Sequence, residues 1–149
     1  MNRSLIFKDM DRDSVHKIQS LKSKKRTYFD NIPESRVESL IVKNIQSVEK
    51  GMVLIDRQYR VYDGVIDILT RDRNGKLCII EVKNESNAKE IVYQCVYYPL
   101  NFSEETRMIT ICPHYDINLY QSLNALGYVE MKAYYRESNG IHIENFKLY

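Results

Sequence analysis

Two apolar segments joined by a turn-forming tetrapeptide constrain the fold of this 149-residue chain more than any other feature. Residues 64–70 (GVIDILT) and 77–83 (LCIIEVK) lie on either side of the sequence Asp-Arg-Asn-Gly. Asn-Gly between two such runs is a strong signal for a β-hairpin. Each run also contains ionisable side chains, which are costly to bury unless they are paired or bind a metal. These side chains are Asp67 in the first run and Glu81 and Lys83 in the second.

The loop between the two runs could have either of two lengths, and its length decides which side chains share a face. A two-residue loop would pair Arg73 with Lys76. Because side chains alternate along a strand, Asp67 would then lie opposite Val82 and point away from Glu81. In that register the two acids would not meet.

A three-residue loop that ends on Gly75 would place this glycine in the left-handed conformation and would pair Asp72 with Lys76. Opposite charges would then face each other across the strands, which is favourable. In this register Asp67 lies directly opposite Glu81. We therefore favour the three-residue loop.

In the favoured register Leu69 faces Ile79, and Asp67, Glu81 and Lys83 converge on one patch, because residues two apart on a strand share a face. Alternate apolar residues are expected to form the core on the other face of the hairpin: Ile66, Ile68, Cys78, Ile80 and Val82.

Two carboxylates on one patch suit a hard divalent cation such as Mg²⁺, which binds one or two carboxylates and keeps several waters. Such an ion lowers the pKa of bound water and stabilises charge on a phosphate oxygen. Lys83 could orient or help deprotonate the attacking water, or neutralise developing charge. The pattern indicates metal-assisted phosphodiester hydrolysis. The alternative is a buried Glu81–Lys83 pair, with Asp67 as a turn residue.

Composition is that of an ordinary soluble globular domain, with 44% hydrophobic and 28% charged residues. No apolar run approaches membrane-spanning length, and the N-terminus lacks the apolar segment of a signal peptide. Cys78, Cys95 and Cys112 are far apart in apolar segments, which predicts buried free thiols in a reducing compartment. These features together predict a cytoplasmic protein without a membrane partner.

Positive charge is concentrated near the N-terminus, although the net charge is only +2. The cluster consists of Lys17, Lys22, Lys24, Lys25 and Arg26, of which the last four are the candidate DNA-binding residues. Such a cluster can grip the phosphates of DNA. The alternative is a solvated helix end.

The remaining elements are expected to complete an α/β (α+β) domain with a mixed sheet flanked by helices. A helix is predicted from Pro33, and Met52 to Val61 is predicted to be a strand with Val53, Ile55 and Tyr59 as core positions. Residues 86–98 are predicted to form a second helix, and residues 107–112 a strand. Residues 116–125 are predicted to form a third helix, which Gly127 ends, and residues 128–135 and 141–148 the two final strands.

Several motifs in order resemble the catalytic domain of the NucS/EndoMS endonucleases, in the PD-(D/E)XK or restriction-endonuclease-like superfamily. They cover about residues 33–133: Glu34-Ser35-Arg36-Val37-Glu38, Asn44, residues 49–57, residues 64–69, Ile80-Glu81-Val82-Lys83, Gln94 with Tyr98, residues 107–110, Pro113 and residues 126–130. The resemblance implies an αβββαβ core and a DNA endonuclease activity.

The resemblance also implies a role for each matching residue. The catalytic set would be Glu38, Asp67, Glu81, Lys83 and Gln94. Asp67, Glu81 and Glu38 would bind Mg²⁺ or Mn²⁺, with Glu34 a less specific match. Gln94 would bond near the metal waters or the DNA backbone, and Tyr98 would line the site and contact DNA.

One departure from the family concerns the N-terminus. Members carry a separate N-terminal DNA-binding and dimerisation domain, whereas only about 32 residues precede the nuclease core here. Residues 1–32 are expected to form a basic helix or arm that binds DNA in place of the missing domain, and residues 33–149 are expected to form the nuclease domain. A stand-alone module of this size is expected of a virus or mobile element.

Three functions follow as hypotheses. The favoured one is a metal-dependent DNA endonuclease acting on single-stranded, branched or junction DNA, and a symmetric homodimer would allow two strands to be cut. The second is a non-catalytic nucleic-acid-binding or regulatory protein that keeps the fold. The third is an RNase, since the same chemistry attacks either sugar's phosphodiester.

Overall fold

A six-stranded mixed sheet organises the part of the chain that the computed structural model describes, residues 32–85, 88–138 and 140–148. The basic cluster and the expected N-terminal arm therefore lie almost wholly outside the described residues. The elements in chain order are α1 (Glu34–Lys43), a 3-10 turn (Ile45–Ser47), β1 (Val53–Val61), β2 (Gly64–Arg71), β3 (Leu77–Val82), α2 (Glu90–Tyr97), a 3-10 turn (Tyr98–Asn101), β4 (Thr106–Cys112), α3 (Ile117–Leu126), β5 (Val129–Glu137) and β6 (Gly140–Asn145).

Strand order in the sheet follows the sequence, from β1 to β6. The pairs β1–β2, β2–β3 and β5–β6 are antiparallel, whereas β3–β4 and β4–β5 are parallel. The parallel pairs require crossover connections, which α2 and α3 provide. This confirms the predicted α+β fold with a mixed sheet and flanking helices.

The hairpin has the three-residue loop that the sequence favoured. Leu69 pairs with Ile79, and the amide of Asp72 donates to the carbonyl of Lys76 at 2.9 Å. Gly75 has φ of 80°, as a left-handed position in this loop requires. Oδ1 of Asp72 also accepts the amide of Lys76 at 2.9 Å, so the aspartate fixes the turn from its side chain as well.

Both faces of the sheet are covered, and all six residues of β3 are buried as a result. One cluster packs α1 on the sheet: Val37, Ile41, Val48, Met52, Ile68, Cys78, Ile80, Val82, Ile109, Ile111, Tyr134 and Ile143. The other packs α2 and α3 on the opposite face: Ile66, Leu69, Leu77, Ile79, Ile91, Cys95, Tyr98, Met108, Cys112, Tyr115, Leu119 and Leu123.

Two sequence predictions about β1 are wrong. Val53 and Ile55 are 63% and 46% exposed, so they are not core residues, whereas Tyr59 is partly buried. β1 is the first strand in the order of the described sheet. Its register against β2 shifts between Leu54 and Asp56. The shift breaks the alternation on which the prediction rested.

The sequence prediction for Ile66 is also wrong, because it assumed simple alternation along β2 and placed Ile66 on the same face as Ile68. It belongs to the α2 side of the sheet and not to the α1 side with Ile68. Gln58 lies between the residues of β1 that pair with these two, and its φ is 54°. The ladder between β1 and β2 lacks a pair between Gln58 and Asp67, so the strands are irregular there and simple alternation does not hold from Ile66 to Ile68.

The predicted ends of α3 are confirmed. Oδ1 of Asp116 accepts the amide of Leu119 at 2.8 Å as an N-cap, and Gly127 ends the helix with φ of 79°. Cys78, Cys95 and Cys112 are free and buried, as expected. In the described part of the chain, no helix has the length and apolar character needed to cross a membrane.

Arg107 binds three carboxylates at the end of the sheet where the turn between β2 and β3 lies, and we call this cluster a junction. Its guanidinium donates two bonds to Glu49 at 2.6 and 2.8 Å, two to Glu130 at 2.6 and 2.9 Å, and one to Asp72 at 3.0 Å. These carboxylates raise the pKa of Arg107 further above its ordinary range, which keeps it charged. The junction ties β4, β5, the hairpin and the segment before β1 together.

Candidate active site

The predicted acids lie where β2 and β3 stop pairing. Main-chain pairing runs from Arg71–Leu77 to Ile68–Ile80. Beyond it, the amide of Asp67 donates to Oε1 of Glu81 at 3.0 Å, and the amide of Val82 donates to Oδ2 of Asp67 at 2.9 Å. Each carboxylate thus takes the place of a carbonyl of the opposite strand, and the hairpin brings the two acids together.

Burial makes this acid pair electrostatically costly. Glu81 is fully buried, and its Oε2 atom has no hydrogen-bond partner among the described residues. Burial and the neighbouring charge of Asp67 raise the pKa of Glu81 well above its ordinary value. Burial also raises the pKa of Asp67. Two close carboxylates with raised pKa values can be relieved by a proton or by a cation.

Lys83 is buried beside this pair but contacts two other acids. Its Nζ atom lies 3.7 Å from Oε1 of Glu34 and 3.6 Å from Oε1 of Glu90. Burial alone would lower the pKa of Lys83, but the negative charges of Glu34, Asp67, Glu90 and Glu81 outweigh it and raise the pKa. The lysine is therefore a stable cation at neutral pH.

Glu38 lies on α1, buried, and both its oxygens accept hydrogen bonds from β1. Nε of Arg57 donates to Oε1 at 2.6 Å, and Nε2 of Gln58 lies 2.9 and 3.0 Å from Oε1 and Oε2. Arg57 also donates to the carbonyl of Ser35 at 3.1 Å. Gln58 comes within 3.4 Å of Oδ1 of Asp67, which joins Glu38 to the acid pair.

Gln94 and Tyr98 lie one turn apart, as predicted. Oε1 of Gln94 is buried and has no partner among the described residues. Tyr98 is 4% exposed and packs in the core on the α2 side. Burial raises its pKa, while bonds from Gln94 and the amide of Val65 act in the opposite direction. A DNA contact by Tyr98 does not fit this buried placement.

Gly64 is required by the position of Tyr98. A Cβ atom on Gly64 would come 2.3 Å from the hydroxyl of Tyr98, so the tyrosine or the strand would have to shift to accept it. The start of β2 therefore lies directly against the tyrosine.

The donor set fits a hydrated divalent cation only in part. Among residues 32–85, 88–138 and 140–148, no group of three His, Cys, Asp or Glu side chains is arranged to hold a metal. Mg²⁺ needs only one or two carboxylates when waters complete its shell. The unpartnered Oε2 of Glu81 and the adjacent carboxylate of Asp67 would supply those two carboxylates. Both oxygens of Glu38 and both oxygens of Asp67 already accept hydrogen bonds, and the roles of Asp67, Glu81 and Glu38 as direct ligands stay predictions.

Sequence reasoning missed three residues that the structure places here: Arg57, Gln58 and Glu90. A signal was present for two of them, because Asp56, Arg57 and Gln58 are three successive polar residues that interrupt the alternation expected of a half-buried strand. The contact between Glu90 and Lys83 depends on how α2 packs, which no local pattern indicates.

The sequence profile of the family described as the Endonuclease NucS C-terminal domain matches residues 33–111. Since this match covers more than half of the chain, the protein belongs to that family. The sheet, its helices and the acids at the open end of the hairpin are therefore those of a NucS-like nuclease domain.

Related proteins and structures agree with this assignment. The chain is 28% identical over 121 residues to an Endonuclease NucS of Sulfolobus acidocaldarius, covering 79% of this chain and 47% of that protein. It is 32% identical over 65 residues to an Endonuclease NucS of Methanocaldococcus jannaschii, covering 44% and 25%. The chain thus spans about half the length of the first of these relatives, and the second match spans a quarter of its relative.

Two solved structures have the same fold. A repair endonuclease from Pyrococcus abyssi superposes with a TM-score of 0.60 and 23% identity, covering 68% of this chain and 46% of that one. A complex of EndoMS with double-stranded DNA superposes with a TM-score of 0.60 and 21% identity, covering 67% and 43%. At these identities the likeness establishes the fold.

Proposed function

We propose that this domain is a divalent-metal-dependent endodeoxyribonuclease that hydrolyses phosphodiester bonds in single-stranded, branched or junction DNA. The observation that carries the proposal is the buried, unpartnered Oε2 of Glu81 beside the carboxylate of Asp67. A pair of this kind is costly for the fold, and perturbed acids of this kind cluster at functional sites. Membership in the NucS C-terminal domain family supports the same chemistry.

The residues have distinct roles in this mechanism. Asp67 and Glu81 would hold Mg²⁺ or Mn²⁺, and the main-chain bonds to Asp67 Oδ2 and Glu81 Oε1 fix their orientation. When bound, such an ion supplies an acidified water and offsets charge on a phosphate oxygen. Lys83, a cation held near the pair, stabilises negative charge that develops on the phosphate. Glu34 and Glu90 keep the ammonium in place.

A cleavage assay on the purified chain tests the proposal. Labelled single-stranded, duplex, flap and four-way-junction DNA and a matched RNA are incubated with EDTA, Mg²⁺ or Mn²⁺. We expect metal-dependent cutting of DNA and a loss of roughly a hundredfold or more in Asp67→Asn, because a metal supplies several kcal/mol to such a reaction. Cutting of RNA in preference to DNA would favour the RNase alternative.

The matched control is Glu105→Gln. This substitution also removes a carboxylate, but Glu105 is highly exposed and pairs with Lys76 at the surface. Exposed pairs contribute little to stability, so its activity should equal that of the wild type. DNA binding without metal-dependent cutting of any substrate would favour the non-catalytic alternative.

The homodimer is a separate part of the proposal. Cutting both strands of a duplex or junction is simplest with two sites related by a two-fold axis. Sedimentation of the chain with and without DNA measures this directly. A monomer in both samples would restrict the domain to one cut per encounter.

A further inference from the structure

Gln58 connects the two acidic parts of the site. Its carboxamide nitrogen lies 2.9 and 3.0 Å from the two oxygens of Glu38 on α1 and 3.4 Å from Oδ1 of Asp67 on β2. The other oxygen of Asp67 accepts the amide of Val82. Gln58 thus approaches the one oxygen of Asp67 that the main chain of β3 leaves available.

The backbone of Gln58 is strained for a residue with a side chain. Its φ of 54° makes it the one non-glycine residue with positive φ in the part of the chain that the structure describes. Glutamine rarely adopts this conformation, because its Cβ atom crowds the following carbonyl. The residue is exposed as a whole, so burial does not explain the conformation. Strain of this kind persists where the surrounding structure requires it, often at functional sites.

We propose that Gln58 is a positioning residue, whose carboxamide holds the carboxylates of Glu38 and Asp67 in a fixed relation at the metal-binding end of the hairpin. This inference rests on the proposed function. A neutral amide that donates to both acids separates two like charges and leaves their charge unchanged, which suits a site for a cation. Arg57 holds Glu38 through a bond of 2.6 Å, and the amide of Val82 holds the other oxygen of Asp67, so Gln58 adds the contact that sets the two carboxylates relative to each other.

The test uses Gln58→Gly and Gln58→Ala, which both remove the carboxamide. Glycine adopts a positive φ without strain, whereas alanine at this position remains strained. We expect the melting temperature of Gln58→Gly to equal or exceed that of the wild type and that of Gln58→Ala to be lower. Both variants should lose about tenfold in kcat with little change in KM, and both should bind Mn²⁺ severalfold more weakly in calorimetric titrations without DNA.

The matched control is Val53→Gly, which destabilises the same strand at an exposed position away from the site. We expect a lower melting temperature with unchanged kcat and unchanged Mn²⁺ affinity. Activity that instead follows the melting temperature across all three variants would overturn the inference, since Gln58 would then act through stability alone.

The failure of the proposed function can be told apart from the failure of this inference. If the wild type cuts DNA and Gln58→Gly has the same kcat and Mn²⁺ affinity, Gln58 is not a positioning residue. If the wild type binds Mn²⁺ but cuts no substrate, the endonuclease proposal fails, and the Mn²⁺ affinity of Gln58→Gly still decides the inference. A wild type that neither cuts nor binds Mn²⁺ overturns both.

Discussion

Arg107 and Glu49 are joined by two parallel hydrogen bonds of 2.6 and 2.8 Å, although 58 residues separate them in the sequence. The same guanidinium makes a second two-bond contact with Glu130 on β5. Such paired geometry is specific to arginine, because the planar guanidinium matches a carboxylate. One side chain on β4 therefore fixes the relative positions of three segments at the edge of the sheet away from the acids.

Arg107→Met should destabilise the fold without removing the catalytic groups. Three carboxylates would lose their shared cation, and we expect the free energy of unfolding to fall by about 2 kcal/mol. Breaking a fully buried ion pair costs roughly 3–5 kcal/mol. The loss here should be smaller because Glu49 and Glu130 keep contact with water. Urea denaturation measures the loss. Arg71→Met, which removes an exposed pair with Glu104, should cause little change. Equal effects in the two variants would contradict this account.

Gly64→Ala should disturb the site through Tyr98. The added Cβ atom would come 2.3 Å from the hydroxyl and 3.1 Å from two ring carbons, so we expect a loss of about 1–3 kcal/mol, typical of overpacking. Tyr98→Phe removes the atom that clashes most. In the Tyr98→Phe background, Gly64→Ala should cost less, and a double-mutant cycle of melting or urea curves measures this coupling. Additive effects would show that the clash is relieved elsewhere.

Glu81→Gln should stabilise the metal-free protein at pH 8. The pKa values of Asp67 and Glu81 lie above their ordinary values of 3.8 and 4.5, so above these values the folded protein binds more protons than the unfolded chain. The contribution of these two acids to the free energy of unfolding therefore falls as the pH rises through the raised pKa values. An uncharged amide removes this cost, and we expect a gain of a few degrees in melting temperature at pH 8 that vanishes near pH 4.

The control for this pH dependence is Glu105→Gln, whose carboxylate lies at the surface. Its melting temperature should follow that of the wild type at every pH. A Glu81→Gln protein that is less stable than the wild type at pH 8 without metal would contradict the electrostatic argument. Its cleavage activity should be lost regardless.

Lys83→Arg should keep part of the cleavage activity that Lys83→Met loses. The acids around Lys83 raise its pKa, so the residue acts as a cation and not as a proton acceptor. Arginine keeps the charge and cannot be deprotonated in proteins. Single-turnover cleavage rates at saturating Mg²⁺ measure the difference. Complete loss of activity in both variants, with melting temperatures like that of the wild type, would instead indicate a general base.

The local sequence could predict the parts of the site whose positions depend on the β2–β3 hairpin alone. The loop ending on Gly75 determines the register, and the register brings Asp67 to Glu81. The end of α3 at Gly127 was predictable for the same reason, since a helix stop acts within a few residues. Each of these depends on neighbours close in the chain.

The parts that could not be predicted depend on contacts between elements. Glu90 reaches Lys83 only because α2 packs across the sheet, and Gln58 reaches Glu38 only because a register shift and a left-handed residue alter β1. The exposure of Val53 has the same origin. Alternation predicts a face only while the strand is regular, and β1 is irregular where it meets the site.

The two main-chain bonds at the open end of the hairpin have a spectroscopic consequence. The amide protons of Asp67 and Val82 are bonded to carboxylates and not to carbonyls, so their chemical shifts depend on the charge of the acids. In a ¹⁵N-labelled sample these two amides would respond to protonation or to a cation before any DNA is added. The backbone thus contains its own indicator of the ionisation state of this acid pair, independent of turnover.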